Sequence, residues 1–507
     1  MSNDKVVELS SLRDIVVAKR QSGCSLVLCH GTFDLMHAGH VKHLQRAKTE
    51  GDILFVTITA DAFVNKGFGR PVFNQKLRSE TLAALQCVDY VCVAEEPTAL
   101  AVIEIIQPDV YVKGSDYVVG SEDITGNIEK EKSAVEYHGG RTVFTDEITF
   151  SSSSLLNEYY DVLSEPARNY LHGLKKDFTS DLMIEMLGRF SNYNVLVVGD
   201  AIIDEYHYTE PLGQTGKGNL LAVKYVSEEQ FAGGAIAVAN HVAGFVNKVT
   251  LVTGLGSQAS YESFIRGKLR PNVTPNFFYN DADSTLVKRR FVDMDMDKLF
   301  EVYFQKKEHF PQYIQDQVSD WLLENLNKFD VVLVPDFGNG FISQGMADIL
   351  STNATFLAVN AQINSGNRGY HAITRYSKVN FVSLNEPELR LATHSRSLDL
   401  GGLAKKIAAA VGASSIAVTR GTKGAMFLDV ENNLLVEIPA LSSKVVDRIG
   451  AGDTFLSMAG LCVKASLPVN ISGFVASVSA AMSVQSVCNR TPLDPAKLYR
   501  NITTLMK

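Results

Sequence analysis

The sequence predicts an α/β protein with two doubly wound domains, in which helices cover both faces of parallel sheets. The chain has 507 residues, which is more than one hydrophobic core usually supports. Strand-like apolar runs alternate with segments of helical periodicity from residue 25 to residue 148, and a second alternating series begins near residue 194. Such alternation is typical of βαβ units and therefore of parallel sheets.

The chain divides into three predicted parts. Residues 1–158 contain the strand-like runs SLVLCHGTF, DILFVTITAD, VDYVCVAEE, DVYVKGS and RTVFTDEI, so we expect a first domain there. Residues 159–190 are charged and helical in pattern with no strand, which predicts a helical linker. Residues 191–507 open with NVLVVGDAIIDEY and continue through VTLVTGLG, VVLVPDFGNG and SIAVTRGTKGA to IGAGDTF. This last part is long enough for one large domain.

The charge balance limits the classes of partner. The formal net charge is −8, and 21% of the residues are charged. Because phosphate backbones select basic surfaces, we expect no nucleic-acid partner. Small anionic ligands remain compatible with this charge, since they need only local positive groups.

The termini and the cysteines indicate a cellular compartment. The chain opens with MSNDKVVELSSLRDIV, which lacks the positive segment and apolar core of a signal peptide. No apolar run approaches the ~20 residues that span a bilayer. The six cysteines include no C-x-x-C pair, which favours reduced thiols. We therefore expect a cytoplasmic protein without a membrane partner.

The first candidate site is the phrase CHGTFDLMHAGH, which ends at His40. If LVLCHGTF is a strand and HVKHLQRAK is a helix, His37 and His40 lie at the helix N-terminus, at the carboxyl edge of the sheet. Backbone N–H groups and the helix dipole attract anions there. Imidazoles three residues apart share one face of the first turn and can donate hydrogen bonds to phosphate oxygens.

The phrase GTFDLMHAGH resembles the nucleotidylyltransferase signature G-T-F-D-x-x-H-x-G-H, and the resemblance continues through KGFGRPV, RSETLAALQCVDYV, PDVYVKGSDY and SSSSLL. It implies a Rossmann-like, cytidylyltransferase-like HxGH domain over residues 25–156. The last phrase departs mildly, because the family has Ser-Thr-Thr where this chain has serines. The resemblance implies catalytic roles for His37, His40 and Lys66. The nucleotide-binding residues that it implies are Gly31, Thr32, Phe33, Lys42, Arg78, Lys113, Gly114, Asp116, Ser151, Ser152 and Ser153.

The second candidate site is the phrase DRIGAGDTF, which begins at Asp447. A Gly-Ala-Gly turn before a helix offers backbone N–H groups to a phosphoryl group, and Asp453 at its end is a candidate base for a hydroxyl. A glycine-rich turn that only packs a helix would look the same, so the accompanying phrases decide the interpretation.

This half resembles the ribokinase-like PfkB carbohydrate kinases in the phrases VVGDAIIDEY, FAGGAIAVANHVA, NEPE, VTRGTKGA and GAGD. The resemblance implies a ribokinase-like α/β domain in which Asp453, Gly450, Ala451 and Gly452 are catalytic. It places Asn385 and Glu388 near a Mg²⁺-phosphate region and Thr419, Gly421 and Gly424 near ATP, without a dedicated set of protein metal ligands. The implied substrate-binding residues are Asp200, Asp204, Gly233, Gly234, Asn240, Lys288 and Arg290. For Lys288 and Arg290 a solvated basic strand is an equal alternative.

Three departures bear on the kinase prediction. The family motif Gly-Gly-Ala-Ala-Asn ends in asparagine, whereas this chain has Ala237 at that position. The nearest asparagine is Asn240, three residues later. The family's Asp-Tyr-x-Lys-Gly appears as DFGNG, residues 336–340, and its Asp-Pro-Lys appears as Asn360-Ala361-Gln362. Two lysines are therefore missing from the phosphate-proximal region, which leaves open a changed sugar specificity or a silent kinase domain.

Together the two halves resemble the bifunctional heptose 7-phosphate kinase/heptose 1-phosphate adenylyltransferases, in an order opposite to the familiar one, where the kinase comes first. This implies phosphorylation of a sugar phosphate at the anomeric hydroxyl and conversion of the sugar 1-phosphate to a nucleotide sugar. ATP and Mg²⁺ are implied, and VKGSDY favours ATP over CTP in the transferase half. The partners would be a sugar phosphate and a nucleotide, with a homodimer as a further expectation. The alternatives are a CDP-polyol or other nucleotide-sugar synthase, and a transferase fused to a silent sugar-binding module.

Overall fold

The structure is a computed structural model. It describes residues 3–64, 70–114, 127–145, 163–215, 218, 220–305, 309–364, 366–367, 370–442 and 445–507. The chain forms two compact units, the first comprising Met1–Ser164 with Tyr499–Lys507 and the second comprising Glu165–Leu498.

The first unit is a parallel sheet with helices along the connections. Its strands are β1 (Val6–Val7), β2 (Leu26–Gly31), β3 (Ile53–Thr59), β4 (Tyr90–Ala94), β5 (Val110–Gly114) and β6 (Arg141–Thr145). Its helices are α1 (Leu9–Gln21), α2 (Ala38–Lys48), α3 (Gln75–Ala83), α4 (Leu100–Ile106) and α5 (Asn127–Tyr137). Apolar side chains alternate between the two faces of the central strands, so Val27 and Cys29 belong to one core and Leu26 and Leu28 to the other.

The strand order locates the ligand edge of this unit. The order is β1-β4-β3-β2-β5-β6, and the pairings are parallel. From β2 the chain moves to one side for β3 and to the other side for β5, so the topological switch lies between β2 and β5. In doubly wound sheets the crevice outside the strand ends at such a switch binds ligands.

The second unit contains two sheets. The strands of the larger sheet are β7 (Asn194–Val198), β10 (Lys248–Gly256), β11 (Val273–Asn280), β14 (Val331–Asp336), β15 (Leu357–Ala361), β16 (Phe381–Asn385), β17 (Ser415–Thr419), β18 (Ala425–Asp429) and β19 (Leu434–Ile438). Their order is β11-β10-β7-β14-β15-β16-β17-β18-β19. The pairings from β11 through β17 are parallel, and β18 and β19 continue the sheet in antiparallel fashion.

The small sheet, defined as β13-β12-β8-β9, consists of four strands. The strands are β8 (Ala201–Gln214), β9 (Leu221–Gly234), β12 (Val287–Val292) and β13 (Lys298–Phe304). The phrase NVLVVGDAIIDEY, which opens the second series, is divided between β7 and β8. The division falls at Gly199 and Asp200, where a Cβ on Gly199 would lie 2.6 Å from the carbonyl oxygen of Pro335.

The helices of this unit are α6 (Glu165–Asp177), α7 (Ser180–Gly188), α8 (Ala235–Ala243), α9 (Glu262–Lys268), α10 (Gln312–Asn325), α11 (Gln344–Asn353), α12 (Glu386–Ala392), α13 (Leu400–Val411), α14 (Ala451–Lys464) and α15 (Val469–Ser483), and α16 (Pro495–Met506) ends the chain. The two doubly wound α/β domains are thus confirmed. The described part of the predicted linker is helical. Among the described residues, no helix combines the length and the apolar character needed to cross a membrane.

Gly256, the last residue of β10, gives a stability prediction. A Cβ on Gly256 would lie 2.2 Å from the carbonyl carbon of Ser284 and 2.3 Å from its Cα, both in backbone. We expect Gly256→Ala to lower the free energy of unfolding of the second unit by about 2–4 kcal/mol, because the backbone must shift to accept the methyl group.

Gly173→Ala is the matched control, because Gly173 lies in α6 and no described atom would lie within 4 Å of its added Cβ. It should raise helix stability by up to ~1 kcal/mol. Urea denaturation of the full chain measures both variants, and equal midpoints for the two would contradict the steric account.

Candidate functional site

In the first unit the two predicted histidines lie side by side at the start of α2. His37 is the N-cap residue in extended conformation, and its Nδ1 accepts a hydrogen bond from the Gly39 backbone N–H at 3.1 Å. The His37 and His40 rings stack with centroids 3.9 Å apart. Burial lowers the pKa of His37, so the ring is neutral near pH 7. The N-terminus of α2 therefore combines backbone donors with two adjacent imidazoles.

The turn before this helix is held in an unusual conformation. Phe33 has φ +48°, a left-handed geometry that bulky residues adopt only under constraint. Its ring contacts His40 edge-on at 5.4 Å, and a Cβ on Gly31 would lie 3.1 Å from the Phe33 ring. Buried Asp34 accepts backbone hydrogen bonds from Val72 and Phe73 at 2.8 and 3.0 Å. The turn is thereby fixed to the segment that precedes α3.

Arg78 occupies a place different from the predicted one. Its guanidinium is buried and donates to the backbone carbonyls of Phe73, Thr32 and Thr59 at 2.6–2.9 Å and to the Asp61 carboxylate at 2.6 Å. These contacts engage Nε and both terminal nitrogens. The expectation that Arg78 binds phosphate is corrected, because in this geometry the side chain positions the turn instead.

Lys113 is also paired within the unit. Its Nζ lies 3.2 Å from the Glu131 carboxylate and 5.1 Å from the centroid of the Tyr111 ring. Burial opposes ionisation of Glu131, but the charge of Lys113 holds the Glu131 pKa below its usual value. Lys113 and Gly114 are the last two residues of β5. This strand pairs with β2, which leads to the histidines. Lys113 therefore lies at the switch point, with its charge balanced by Glu131.

The other nucleotide-binding predictions divide into two sets. Thr32 is buried and contributes its carbonyl to Arg78, while Lys42 lies exposed on α2. Five predicted residues lie outside the described residues: Lys66, Asp116, Ser151, Ser152 and Ser153.

In the second unit most predicted residues line one cavity of about 930 Å³. The cavity brings together residues from both sheets and from the N-terminus of α14. The predicted residues that line it are Asp204, Gly234, Lys288, Arg290, Asn385, Glu388, Thr419, Gly421, Gly424, Gly450, Ala451, Gly452 and Asp453.

The Gly-Ala-Gly turn begins α14 as predicted. Gly450 is the N-cap at φ +89°, and a Cβ there would lie 2.1 Å from the Asn489 side-chain oxygen. Only glycine fits this position without displacing Asn489. Asp453 follows in the first helical turn and is buried, which raises its pKa to about 7, with the Asp204 charge as a second cause. The site thus joins free backbone N–H groups to a carboxylate that is half-protonated near neutral pH.

Two cations of β12 are buried on the small-sheet side of the cavity. Arg290 pairs with Asp204, and its Nε lies 3.3 Å from Glu301. Lys288 stands beside Asp204 in the strand register, with its Nζ 5.1 Å from the Tyr303 ring centroid and 5.8 Å from that of Phe337. Burial lowers the pKa of Lys288. Both side chains are less than one-tenth exposed, so the solvated-strand alternative is wrong.

Three predicted substrate residues do not line this cavity. The Asp200 carboxylate accepts backbone hydrogen bonds from Asn339 and Phe341 at 3.4 and 3.2 Å, beside a separate cavity of about 30 Å³. Burial, followed by the nearby Asp336 charge, raises the Asp200 pKa to about 6. The Asn240 side chain bonds the backbone of Lys268 and Arg270. These two predictions are corrected, because both side chains are committed to loop backbone.

Gly233 has an indirect part. A Cβ at Gly233 would lie 1.9 Å from Asp204 Oδ2. The missing side chain therefore leaves room for the Asp204 carboxylate rather than for a ligand.

Asn385 and Glu388 form a capping box at the start of α12. Glu388 Oε2 accepts from the Asn385 backbone N–H, Oε1 accepts from that of Ile363, and the Asn385 side chain accepts from the Glu388 backbone N–H. Burial raises the Glu388 pKa to about 7. Gln362 lines the same wall of the cavity, and its Oε1 is buried without a hydrogen bond to the described residues.

The oxygen atoms on this wall fit a hard divalent cation. The described residues contain no cluster of three or more His, Cys, Asp or Glu side chains suited to a metal. Mg²⁺ usually binds one or two protein oxygens together with water and nucleotide phosphates. The amide oxygens of Asn360 and Gln362 and the Glu388 carboxylate supply such oxygens, so the wall fits a metal that arrives with a nucleotide.

Sequence reasoning missed three arginines that line the cavity, Arg390, Arg420 and Arg448. Arg420 and Arg448 lie inside the recognised phrases VTRGTKGA and DRIGAGDTF, and Arg390 follows NEPE by two residues, so their proximity to the motifs was a usable signal. Arg420 lies 3.8 Å from Glu386 and 3.5 Å from Glu437.

Comparison with protein families identifies both units. The model of the pfkB family carbohydrate kinases matches residues 192–496, and the cytidylyltransferase-like model matches residues 28–158. Together they agree with the two-domain composition predicted from the motifs.

Curated relatives match over the first unit. The bifunctional protein HldE of Geotalea uraniireducens is 45% identical over 142 residues, 28% of each chain. That of Syntrophotalea carbinolica is 39% identical over 158 residues, 31% of each chain. The chain thus covers less than a third of the length of these relatives. The comparisons agree with the predicted domain composition. They do not support a reversal of domain order, and that expectation is corrected.

Among solved structures, the chain is similar to Arabidopsis thaliana ribokinase complexed with ribose and ATP, at 18% identity. The match covers 62% of this chain and 99% of that chain, with a TM-score of 0.47. Escherichia coli phosphofructokinase-2 in complex with potassium is 14% identical over 62% of this chain and 100% of that chain, with a TM-score of 0.49.

The position of Arg78 gives a prediction that separates a buried anchor from a phosphate ligand. Arg78→Met removes the donors to two strand-end carbonyls and leaves them unpaired, so we expect a loss of about 3–5 kcal/mol in the stability of the first unit. Hydrogen exchange of the Leu26–Thr59 segment in mild urea measures this loss. Arg141→Met is the control, since Arg141 forms an exposed pair with Glu50 and should change stability by less than ~1 kcal/mol. Normal protection in the Arg78 variant would restore the phosphate role.

Proposed function

The chain belongs to the pfkB family of carbohydrate kinases, and from this premise we propose that it makes a nucleotide-activated sugar in two steps. The second unit transfers the γ-phosphoryl group of ATP to the anomeric hydroxyl of a sugar phosphate of the heptose 7-phosphate type. The first unit joins the resulting sugar 1-phosphate to a nucleotide and releases pyrophosphate. The proposed divisions are residues 1–158 for the transferase, 159–190 for the linker and 191–507 for the kinase.

The observation that carries the kinase proposal is the composition of the large cavity. Asp453, the Gly450–Gly452 turn, Asp204 and Lys288 all line it. Phosphoryl transfer needs a group that accepts the hydroxyl proton and a set of donors for the charge that develops on phosphate oxygens. Within the described residues this cavity supplies both, and its volume suits a nucleotide with a small sugar.

The proposed kinase step uses these groups in turn. Asp453 accepts the proton of the sugar hydroxyl as its oxygen attacks the γ-phosphorus, and the bond to the β-phosphate oxygen breaks to leave ADP. The N–H groups of the Gly450–Gly452 turn stabilise the transferred phosphoryl oxygens. Asp204 and Arg290 orient the sugar, and Lys288 binds its anionic group. A divalent cation, held by the nucleotide phosphates near Asn360, Gln362 and Glu388, would neutralise phosphate charge.

The proposed transferase step is carried by the histidine pair. An oxygen of the sugar 1-phosphate attacks the α-phosphorus of the nucleoside triphosphate, and pyrophosphate leaves. His37 and His40 donate hydrogen bonds to the phosphates from the first turn of α2, together with the backbone N–H groups of that turn. Lys66, Asp116 and the serines at 151–153 are proposed to complete this site. ATP is the proposed nucleotide, with CTP as the alternative.

A second candidate function follows from the amide side chains. Asn339 and Gln362 stand where the family motifs have lysines, so the cavity lacks two expected phosphate partners. A kinase domain that binds a sugar phosphate without transferring phosphoryl would fit this change. Cytoplasmic location stays a prediction from the N-terminal sequence, the apolar runs and the cysteines, and a homodimer stays a prediction from the resemblance.

The direct test is mass spectrometry of products from heptose 7-phosphate, ATP and Mg²⁺, with and without a heptose bisphosphate phosphatase. We expect the bisphosphate without the phosphatase and ADP-heptose with it. Asp453→Asn should lower phosphorylation at least ~1,000-fold because no base remains, while His40→Asn should block only the nucleotide sugar.

Each failure in this test has its own meaning. An Asp453→Asn enzyme that still makes bisphosphate would overturn the base assignment. Wild-type protein that makes ADP-heptose only from supplied heptose 1-phosphate would identify a silent kinase domain. If CTP alone supports nucleotide-sugar formation, the adenylyl preference is wrong.

The Asp453 carboxyl also predicts a pH dependence. Its pKa is raised to about 7 by burial and by the Asp204 charge, and only the deprotonated form accepts a proton. We therefore expect the kinase kcat/KM to rise about tenfold per pH unit below pH 7 and to level above it. Initial rates from pH 5.5 to 8.5 at saturating nucleotide and metal measure the profile. A flat profile over this range, with the chemical step rate-limiting, would contradict the assignment.

A further inference from the structure

A buried carboxylate at the start of the glycine turn connects the small sheet to the phosphate side of the cavity. The Asp447 side chain is 2% exposed. Its Oδ2 accepts from the Tyr206 hydroxyl at 2.6 Å and from the Cys488 backbone N–H at 3.1 Å. Its Oδ1 accepts from Lys298 Nζ at 3.0 Å and from the Ile449 backbone N–H at 3.2 Å. We call this four-donor arrangement the Asp447 junction.

The four donors come from opposite sides of the cavity. Tyr206 lies on β8 and Lys298 begins β13, so both belong to the small sheet. Ile449 and Cys488 belong to segments that flank the glycine turn. Asn489, the residue after Cys488, contacts Gly450. One carboxylate therefore fixes two strands of the small sheet to both segments that shape the turn.

The junction continues into the acceptor side of the cavity. The Arg290 guanidinium lies 5.6 Å from the Tyr206 ring centroid, and Arg290 pairs with Asp204. In the proposed reaction Asp204 holds the acceptor and Gly450–Gly452 holds the phosphate. Phosphoryl transfer requires both to lie within a few tenths of an ångström of their reactive positions. The Asp447 junction is one set of described contacts that joins these two groups; the pairing of Arg490, beside Asn489, with Glu229 on β9 is another.

Lys298 is the charged donor of the junction. Among the described residues, no other basic side chain forms an ion pair with Asp447 at 4 Å or less. Burial alone would raise the pKa of Asp447, but the Tyr206 hydrogen bond and the Lys298 charge lower it below the usual value. The Lys298 side chain is 38% exposed, so it can be replaced without opening the core. Its role can therefore be separated from folding.

We propose that Lys298 is a positioning residue for phosphoryl transfer, which acts through Asp447 to hold the small sheet in register with the glycine turn. The proposal rests on the proposed kinase function of the second unit. The ammonium touches neither predicted substrate group, and its effect reaches the reacting atoms through the turn. Loss of the charge would leave Asp447 with neutral donors and loosen the small sheet on the turn.

The test compares Lys298→Met, Lys298→Arg and a matched control, Lys224→Met, in the full-length protein. Lys224 also lies in the small sheet and pairs with a carboxylate, Glu210, on the surface. We expect Lys298→Met to lower kcat for sugar phosphorylation about tenfold while the KM for ATP changes less than about twofold, because positioning is lost and nucleotide contacts remain. Lys298→Arg should recover most of kcat, and Lys224→Met should match the wild type.

Hydrogen–deuterium exchange with ADP bound supplies a readout that does not need turnover. In Lys298→Met we expect faster exchange in peptides from residues 201–208 and 445–452, with unchanged exchange in the first unit. Wild-type kinetics and exchange in Lys298→Met would overturn the proposal, as would an arginine variant as slow as the methionine variant. If the wild type phosphorylates no sugar offered, the kinase proposal fails, and the exchange experiment alone then decides whether Lys298 holds the junction.

Discussion

Buried charge of opposite sign within one cavity is the constraint on which the second unit depends. Asp204, Asp453, Lys288 and Arg290 are each at least nine-tenths buried, and an isolated buried ion costs several kcal/mol. Asp204 and Arg290 neutralise each other across adjacent strands. Lys288 lies over two aromatic rings, and burial, followed by the Asp204 charge, raises the pKa of Asp453 to about 7. A substrate that brings one anionic group and one hydroxyl would complete this balance.

The first unit meets the same constraint with a neutral ring and internal pairs. Two of its buried basic groups are committed to the protein, Lys113 to Glu131 and Arg78 to Asp61. Burial lowers the pKa of His37, so at the helix N-terminus its imidazole offers a directed N–H donor without a fixed charge. A site of this kind binds polyphosphate through dipoles and hydrogen bonds.

The sequence predicted what depends on local geometry. A strand, a turn and a helix place His37 and His40 at the carboxyl edge of the first sheet, and a glycine turn before a helix places Asp453 in the first turn of α14, as the structure has them. Partners distant in the chain were beyond reach: nothing in the phrase VKGSDY shows that Glu131 balances Lys113. The commitment of Asn240 to the 268–270 backbone was hidden for the same reason. The small sheet was missed because its strands, two of whose three pairings are antiparallel, mix charged and apolar residues without the long apolar runs of buried parallel strands.

Asn339 and Gln362 stand where the family motifs have lysines. In the proposed kinase, other cations of the cavity must therefore balance the phosphate charge. The Asn339 backbone N–H bonds Asp200, and its side-chain oxygen accepts from Asn364, while its Nδ2 has no hydrogen bond to the described residues. The amides of Asn339 and Gln362 can donate a hydrogen bond but carry no charge. Three further arginines line the cavity: Arg390, paired with Glu386 at 2.9 Å, Arg420, whose carboxylate partners lie 3.5–3.8 Å away, and Arg448. An arginine on a long side chain binds phosphate most effectively when the nucleotide itself orders it. In the proposed kinase, the position of the small sheet relative to the glycine turn therefore matters more than it would in a site with two fixed lysines.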